Sequence, residues 1–341
     1  MADRDQWLAS VSEPAIEPEL PIIDTHHHLW DFPDDRYSDV RRYLVPELVA
    51  DAAEHNIRQT VFVETSAFYK NSGPEAFRVT GEVEFAQGQA AQGASGDYGD
   101  TLVSAAIVGT ADLRMGDDVV PVLEALMAAS PQRFRGIRQR AAWADTTIFP
   151  QPPEWMEEHL LASPAFRAGF RYLDRYAMTF DAWVFHPQLP EVGDLAAAFP
   201  NTTIILNHLG TPMGIGPYAN DMDRAYNEWK AGIATVAQHE NVVLKVGGIA
   251  MPMNGFGWHL RDTAPTSDEL IEKNERYYAY AIEQFGPERC IFESNFPVDR
   301  MSCSYTVLWN QFKKLTKGYR ADQRAAMFHD NALRVYRLVA H

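Results

Sequence analysis

Cysteine is nearly missing from this chain of 341 residues. Only Cys290 and Cys303 occur, and neither has a second cysteine at zinc-finger spacing. That excludes a disulfide framework and a Cys-based metal module, and it fits a reducing, cytoplasmic setting. Basic runs are missing as well. Lys+Arg 30 against Asp+Glu 46 leaves a net charge of -16, which argues against a nucleic-acid or anionic-membrane partner. No stretch approaches ~18 consecutive apolar residues, so no membrane-spanning helix is expected. Residues 1–20 carry Asp3, Asp5, Glu13, Glu17 and Glu19 and no apolar core segment, unlike a signal peptide. They read as an N-terminal arm, with residues 21–341 forming the folded domain. There is no internal repeat, no low-complexity tract and no Gly-rich phosphate turn.

What is present is a regular alternation of apolar runs with helical stretches. Hydrophobic residues make up 46% of the chain, enough for a large core. Short β-rich runs lie at 22–26, 60–64, 102–108, 133–138, 179–185, 203–207, 242–246 and 289–293. Helical patterns fall between them, at 46–55, 117–130, 155–175, 222–239 and 267–285. Strand–helix alternation on this scale predicts an α/β fold, a (β/α)8 TIM barrel, over a doubly wound sheet. Two connections are long, 65–101 after strand two (with a helix at 82–92) and 247–266 after strand seven. In a barrel both rise over the catalytic face, where they shape a pocket, pad the barrel or make a subunit contact. A homo-oligomer is therefore compatible with the sequence.

Catalytic groups of a barrel sit at the C-terminal strand ends. Strand one ends in His26-His27-His28; alternation puts His26 and His28 on one face and His27 on the other. Strand two ends at Glu64, strand four at Arg138 followed by Arg140, strand five at His186 and strand six at His208. Strand seven carries Lys245, and strand eight runs into Glu293-Ser294-Asn295-Phe296-Pro297. One such histidine reads as structural. Four converging imidazoles suit a divalent transition metal, with zinc first.

In that order, Ile23-Asp24-Thr25-His26-His27-His28-Leu29-Trp30, Gly136-Ile137-Arg138, Phe185-His186-Pro187, Asn207-His208-Leu209-Gly210 and Ser294-Asn295-Phe296-Pro297 resemble the amidohydrolase superfamily. Within it, the chain is similar to the group of pyrone-dicarboxylate and sugar-acid lactonases. The resemblance implies metal ligation by His26, His28 and His186, with His208 as a further ligand or as the group that polarises the substrate. It also implies that some members work without metal. The sequence departs from the family pattern at Asn295, normally the Asp that binds metal and moves the proton, and at Asn207, often Asp.

A neutral amide cannot accept the proton of an attacking water. His208 is the first candidate for that role, since imidazole titrates near neutrality. Asn295 would orient a water, and Asp299 or Glu64 could stand in as the carboxylate. Glu293 is expected to face away from Asn295 and becomes a candidate base only if the strand bends at Ser294. Arg138 and Arg140 present forks that match a carboxylate, and Lys245 adds a charge. Trp30, Tyr69, Met251, Met253 and Trp258 could form an apolar wall. The leading expectation is a hydrolase that opens a lactone, or cleaves a related ester, of a small carboxylated cyclic substrate. Non-oxidative decarboxylation of an aromatic or unsaturated acid is the alternative, and a non-catalytic binding barrel is the third.

Overall fold

A computed structural model describes residues 4–33, 40–145, 148, 153 and 155–340. Eight parallel strands follow one another in chain order around a single sheet. They are β1 (Ile22–His27), β2 (Ile57–Val63), β3 (Leu102–Gly109), β4 (Phe134–Ile137), β5 (Thr179–Ala182), β6 (Ile204–Leu206), β7 (Val242–Val246) and β8 (Cys290–Phe292). The ring closes between β8 and β1. Thr25 Oγ1 donates to the Phe292 carbonyl (2.8 Å), Asn295 N–H to the His26 carbonyl (2.9 Å) and His28 N–H to the Phe296 carbonyl (2.8 Å). This is the (β/α)8 barrel that the alternation predicts, and each strand lies where a β-rich run was read.

At least one helix follows each strand, the longest after each being α1 (Val45–Ala52), α2 (Thr80–Gly93), α3 (Val120–Ala129), α4 (Pro164–Phe170), α5 (Leu189–Ala198), α6 (Met222–Val236), α7 (Ser267–Phe285) and α8 (Tyr305–Leu315). Local chemistry sets their ends. Thr266 caps α7 by accepting from Glu269 N–H, while the Glu269 carboxylate accepts from Thr266 N–H, and Gly286 ends the helix at φ 75. Asp221 and Ser304 cap α6 and α8 by accepting from Arg224 N–H and Val307 N–H, without the reciprocal bond. The continuous helix expected over 155–175 is broken. A 3-10 turn (Leu160–Ala162) is followed by extended Ser163 and then by α4, because Pro164 forces its predecessor out of the helical region and opens a new helix.

Outward strand residues such as Phe180, Leu206, Leu244 and Phe292 pack under the helices in the main core. Inward residues Ile23, Val61, Val63, Ala106, Val108, Ile205, Val243 and Ile291 fill the barrel's lower half. Ala332, Val335 and Tyr336 join that inner cluster and cover its base. Residues 4–20 pack on the barrel through Trp7, whose indole donates to the Arg261 carbonyl (2.8 Å), and Glu13, which accepts from Ser267 N–H (2.7 Å) and Asn310 Nδ2 (3.0 Å). Among the described residues, no helix is long and apolar enough to cross a membrane.

Candidate active site

Two residues further along several strands the inward positions turn polar: Val243 is followed by Lys245, Ile205 by Asn207 and Ile291 by Glu293. Two residues advance a strand by ~6.6 Å, so these polar groups form a layer directly above the apolar one. Every one of them is buried.

Glu293 sits at the centre. Its Oε1 accepts from His208 Nδ1 (2.7 Å) and from the His208 backbone N–H (2.9 Å). Its Oε2 lies 2.9 Å from His26 Nδ1 but off the line of a hydrogen bond, so it has no donor of good geometry. The expectation that Glu293 faces away is corrected: alternation from Ile291 points it inward. β8 ends at Phe292, and the alternation carries on to Glu293 before the left-handed turn at Asn295 (φ 56). His208 and Leu209 are also left-handed, at φ 54 and 55, which costs each of these non-glycine residues ~1 kcal/mol or more. The Glu293 bonds hold this turn. Gly248 (φ 64) lets the β7–α7 loop lie against it, since a Cβ there would overlap His208 Nδ1.

His26 and His28 meet edge to face with their Nε2 atoms 3.2 Å apart. His28 Nδ1 donates to the Val63 carbonyl (2.8 Å), which leaves its Nε2 as an acceptor. His26 Nδ1 lies 3.2 Å from Lys245 Nζ, and Arg138 Nη1 lies 3.3 Å from its Nε2. Burial holds both imidazoles well below their ordinary range, helped at His26 by Lys245 and at His28 by Arg138. His27 points the other way, onto Thr60 Oγ1 (2.8 Å) and Phe62, and burial pushes it down to about 3.

The cations are already paired. Lys245 Nζ contacts Asp181 Oδ1 at 2.6 Å, and Asn207 Nδ2 (3.0 Å) and Tyr336 OH (3.2 Å) donate to the same oxygen. Arg138 uses Nε on Glu64 Oε1 (2.8 Å), Nη2 on the Glu64 carbonyl and Nη1 beside His26. Arg140 reaches both Glu64 oxygens, at 3.2 and 3.3 Å. Burial opposes ionisation of Glu64, but Arg140 and Arg138 outweigh it and hold the carboxyl below its usual range. Glu64 thus serves the arginines, and Lys245 lies behind the histidines.

Asn295 Nδ2 donates to Asp299 Oδ1 (3.0 Å), which turns its carbonyl oxygen the other way. Asp299 is fully buried, accepts from Ala250 N–H through Oδ2 (3.3 Å), and is pushed up to about 8 by burial. His186 is not in the cluster. Its Nδ1 accepts from Met213 N–H (3.1 Å), its Nε2 is 3.8 Å from Glu228, and burial lowers it to about 4.

A cavity of about 390 Å³ opens over this layer. His28, His208, Asn295, Arg138, Arg140 and Thr65 supply its polar lining. Trp30, Met251 and Met253 line it as expected; Tyr69 is outside the lining, partly exposed with its hydroxyl near Glu64 and Arg140, and Trp258 is buried in the main core. Trp155 and Trp183 also line it and were not foreseen. Asp181 was missed too, although a lone carboxylate in the apolar run 179–185 was a readable signal.

The donor set fits a divalent ion. Two nitrogens each ~2.05 Å from a tetrahedral ion stand ~3.3 Å apart, close to the 3.2 Å between the His26 and His28 Nε2 atoms. The Val63 carbonyl behind His28 is the kind of partner that a ligating imidazole uses at its other nitrogen, whereas His26 Nδ1 has only Lys245 Nζ at 3.2 Å and the misaligned Glu293 carboxylate beside it. His26, His208 and Glu293 form the described group whose ligand atoms all lie within 4.8 Å. The expected set of His26, His28 and His186 therefore differs from the group that the fold assembles.

A sequence model described as amidohydrolase matches residues 23–338. The chain belongs to the amidohydrolase family. An uncharacterised protein of Sinorhizobium fredii is 31% identical to this amidohydrolase over 340 residues, covering 94% of the chain and 99% of that protein. The L-fucono-1,5-lactonase of Burkholderia multivorans is 28% identical over 174 residues, 51% of the chain and 56% of the lactonase. A crystal structure of a Burkholderia multivorans amidohydrolase with bound zinc superposes with a TM-score of 0.71 at 22% identity, covering 93% of this chain and 99% of that one. That of the 5-carboxyvanillate decarboxylase of Novosphingobium aromaticivorans does so at 0.55 and 13%, covering 94% and 97%.

Proposed function

We propose that this amidohydrolase opens a lactone, or cleaves a related carboxylic ester, by general-base attack of water. The observation that carries the reading is His208, whose Nδ1 is occupied by Glu293 and whose ring borders the cavity. Its Nε2 is the lone pair left to take a proton. Water attacks the carbonyl carbon as His208 Nε2 accepts its proton, and Glu293 stabilises the imidazolium that forms. The acyl C–O bond then breaks, and His208 returns the proton to the leaving oxygen. Asn295, its amide turned by Asp299, offers a carbonyl oxygen to orient the water. A divalent ion, zinc by the imidazole donor set, would be held by His26 and His28 and would polarise the carbonyl when bound. Partial similarity to L-fucono-1,5-lactonase supports the reaction class.

The test is a pH-indicator screen of lactones and esters on the protein as purified, with elemental analysis and the His208→Ala variant alongside. Acid release that disappears in His208→Ala is expected. Acid release that survives it at the wild-type rate would overturn the assignment. Decarboxylation of an aromatic acid is the second reading, favoured by the Trp30, Trp155 and Trp183 lining beside two guanidiniums. Carbon dioxide release from a carboxylate panel, without acid release from lactones, would select it.

A further inference from the structure

The histidine that stands apart from the cluster has both ring nitrogens turned to other parts of the chain. His186 Nδ1 accepts from Met213 N–H at 3.1 Å, so the ring hydrogen sits on Nε2. That nitrogen lies 3.8 Å from Glu228 of α6, whose carboxylate also accepts from Tyr218 OH (2.7 Å) and Arg224 Nε (2.8 Å). His28 is the reverse case: its Nδ1 donates to a carbonyl and leaves a lone pair on Nε2. In His186 the loop occupies the one lone pair that the neutral ring has. Its backbone N–H also donates to the Thr211 carbonyl (3.2 Å), so two bonds tie segment 211–213 to the turn after β5.

That segment carries one wall of the cavity. Gly214 N–H donates to the Met253 carbonyl (2.9 Å), and Asn254 Nδ2 donates to the Pro212 carbonyl (2.8 Å). The two backbones touch, since a Cβ on Gly214 would overlap the Asn254 carbonyl and one on Gly255 the Gly214 carbonyl. Met251, Pro252 and Met253 then line the cavity. Two residues beyond His186, buried Gln188 holds the loop on the other side. Its Oε1 accepts from Trp143 N–H (2.7 Å) and its Nε2 donates to the Ala141 carbonyl (2.7 Å), just past Arg138 and Arg140. The turn after β5 is a clamp that grips a neighbouring loop on each side.

We infer that His186 is a positioning residue that determines specificity: through Met213 N–H it fixes segment 211–214, and with it the Met251–Met253 wall, and it holds no metal. The cavity is the one used in the hydrolytic reading above, but this role does not depend on the reaction.

Three substitutions separate the two ring nitrogens. His186→Asn puts an acceptor near the place of Nδ1, His186→Gln puts a polar group near that of Nε2, and His186→Leu supplies neither. Each is compared with wild type and His26→Ala by hydrogen exchange over 211–216 and 251–256, and by zinc content after equilibration with zinc. Exchange in both segments should be about 10- to 100-fold faster in the Leu and Gln variants, the scale of a buried donor left without its acceptor. His186→Asn should restore protection, and zinc should stay at the wild-type level in all three. On the lactone that wild type turns over fastest, His186→Leu should raise KM about 5- to 10-fold with kcat within about 3-fold of wild type. Asn254→Ala, which cuts the link between the two loops, should raise KM alike and speed exchange over 251–256 while Met213 N–H stays protected. Unchanged exchange in His186→Leu, or zinc lost from His186→Asn as from His26→Ala, would overturn the role. Exchange is read without turnover, so a protein that hydrolyses no lactone would sink the reaction assigned above and still decide the place of His186.

Discussion

The inside of this barrel holds two layers only one pleat repeat apart, and they obey opposite rules. The lower layer, with Ile23, Val61, Ile205, Val243 and Ile291, is aliphatic and sealed from below by Tyr336. The upper layer, with Lys245, Asp181, Glu293, His26 and His208, buries charge and imidazole in the same strands. The lower layer gains from burial without needing specific partners. The upper layer is tolerable only because each group finds a counterpart, since an unpaired buried charge is far costlier than a lost methylene. Stability and chemistry are thus divided along the barrel axis.

That division can be broken in a definite order. The largest effect is expected at the His208–Glu293 pair: His208→Ala and Glu293→Gln should each lower kcat by roughly 10²–10⁴, as loss of a general base does. Steady-state rates on the best lactone check this, and a kcat within a few-fold of wild type in either variant would contradict the pair. Next comes Lys245→Met, which leaves Asp181 buried beside only neutral donors. It should cost ~3–5 kcal/mol in denaturant unfolding, with partial recovery when Asp181→Leu is added. A single variant as stable as wild type would mean that the pair contributes nothing.

The lower layer should respond differently. Ile205→Ala is expected to cost ~2–5 kcal/mol yet keep most activity per folded molecule. Loss of activity without loss of stability would erase the distinction between the layers. The last effect concerns pH and is the smallest only per pH unit. Burial raises Asp299 from 3.8 to about 8, so the folded state holds a proton that the unfolded state releases. Its contribution is fully present below pH 3.8 and is lost as pH rises through 8. Between these limits it gives stability a falling slope of up to ~1.4 kcal/mol per pH unit, and Asp299→Asn should remove that slope. Parallel stability–pH curves for the two proteins would refute it.

Much of this architecture was legible in the chain. Runs such as Val242–Val246 bury both faces, so their apolar content marks strands, and the intervening helical periodicity implies crossovers that return to the same sheet. The helix at 267–285 was readable to its ends because Thr266, Glu269 and Gly286 encode its caps. The segment 155–175 was not, because its helical pattern hid the stop at Ser163-Pro164. In the site, His26, His28 and His208 were singled out by residue type at strand ends and Asn295 by the resemblance, and the fold brings the four to the same end of the barrel. Glu293 was misjudged, although its parity with Ile291 was visible.

The sequence by itself determined which strand positions point inward and where along each strand the inner face turns from apolar to polar, because alternation is a local property of extended backbone. Only the tertiary structure decided the partners. Glu293 reaches His208 across 85 residues of chain, Glu64 engages both arginines, Lys245 takes Asp181, and His186 turns to Met213 instead of the other histidines. Pairing of buried charge depends on distance between side chains from different strands. Ring closure and the left-handed turns at His208 and Asn295 set that distance, and neither is written in any one segment.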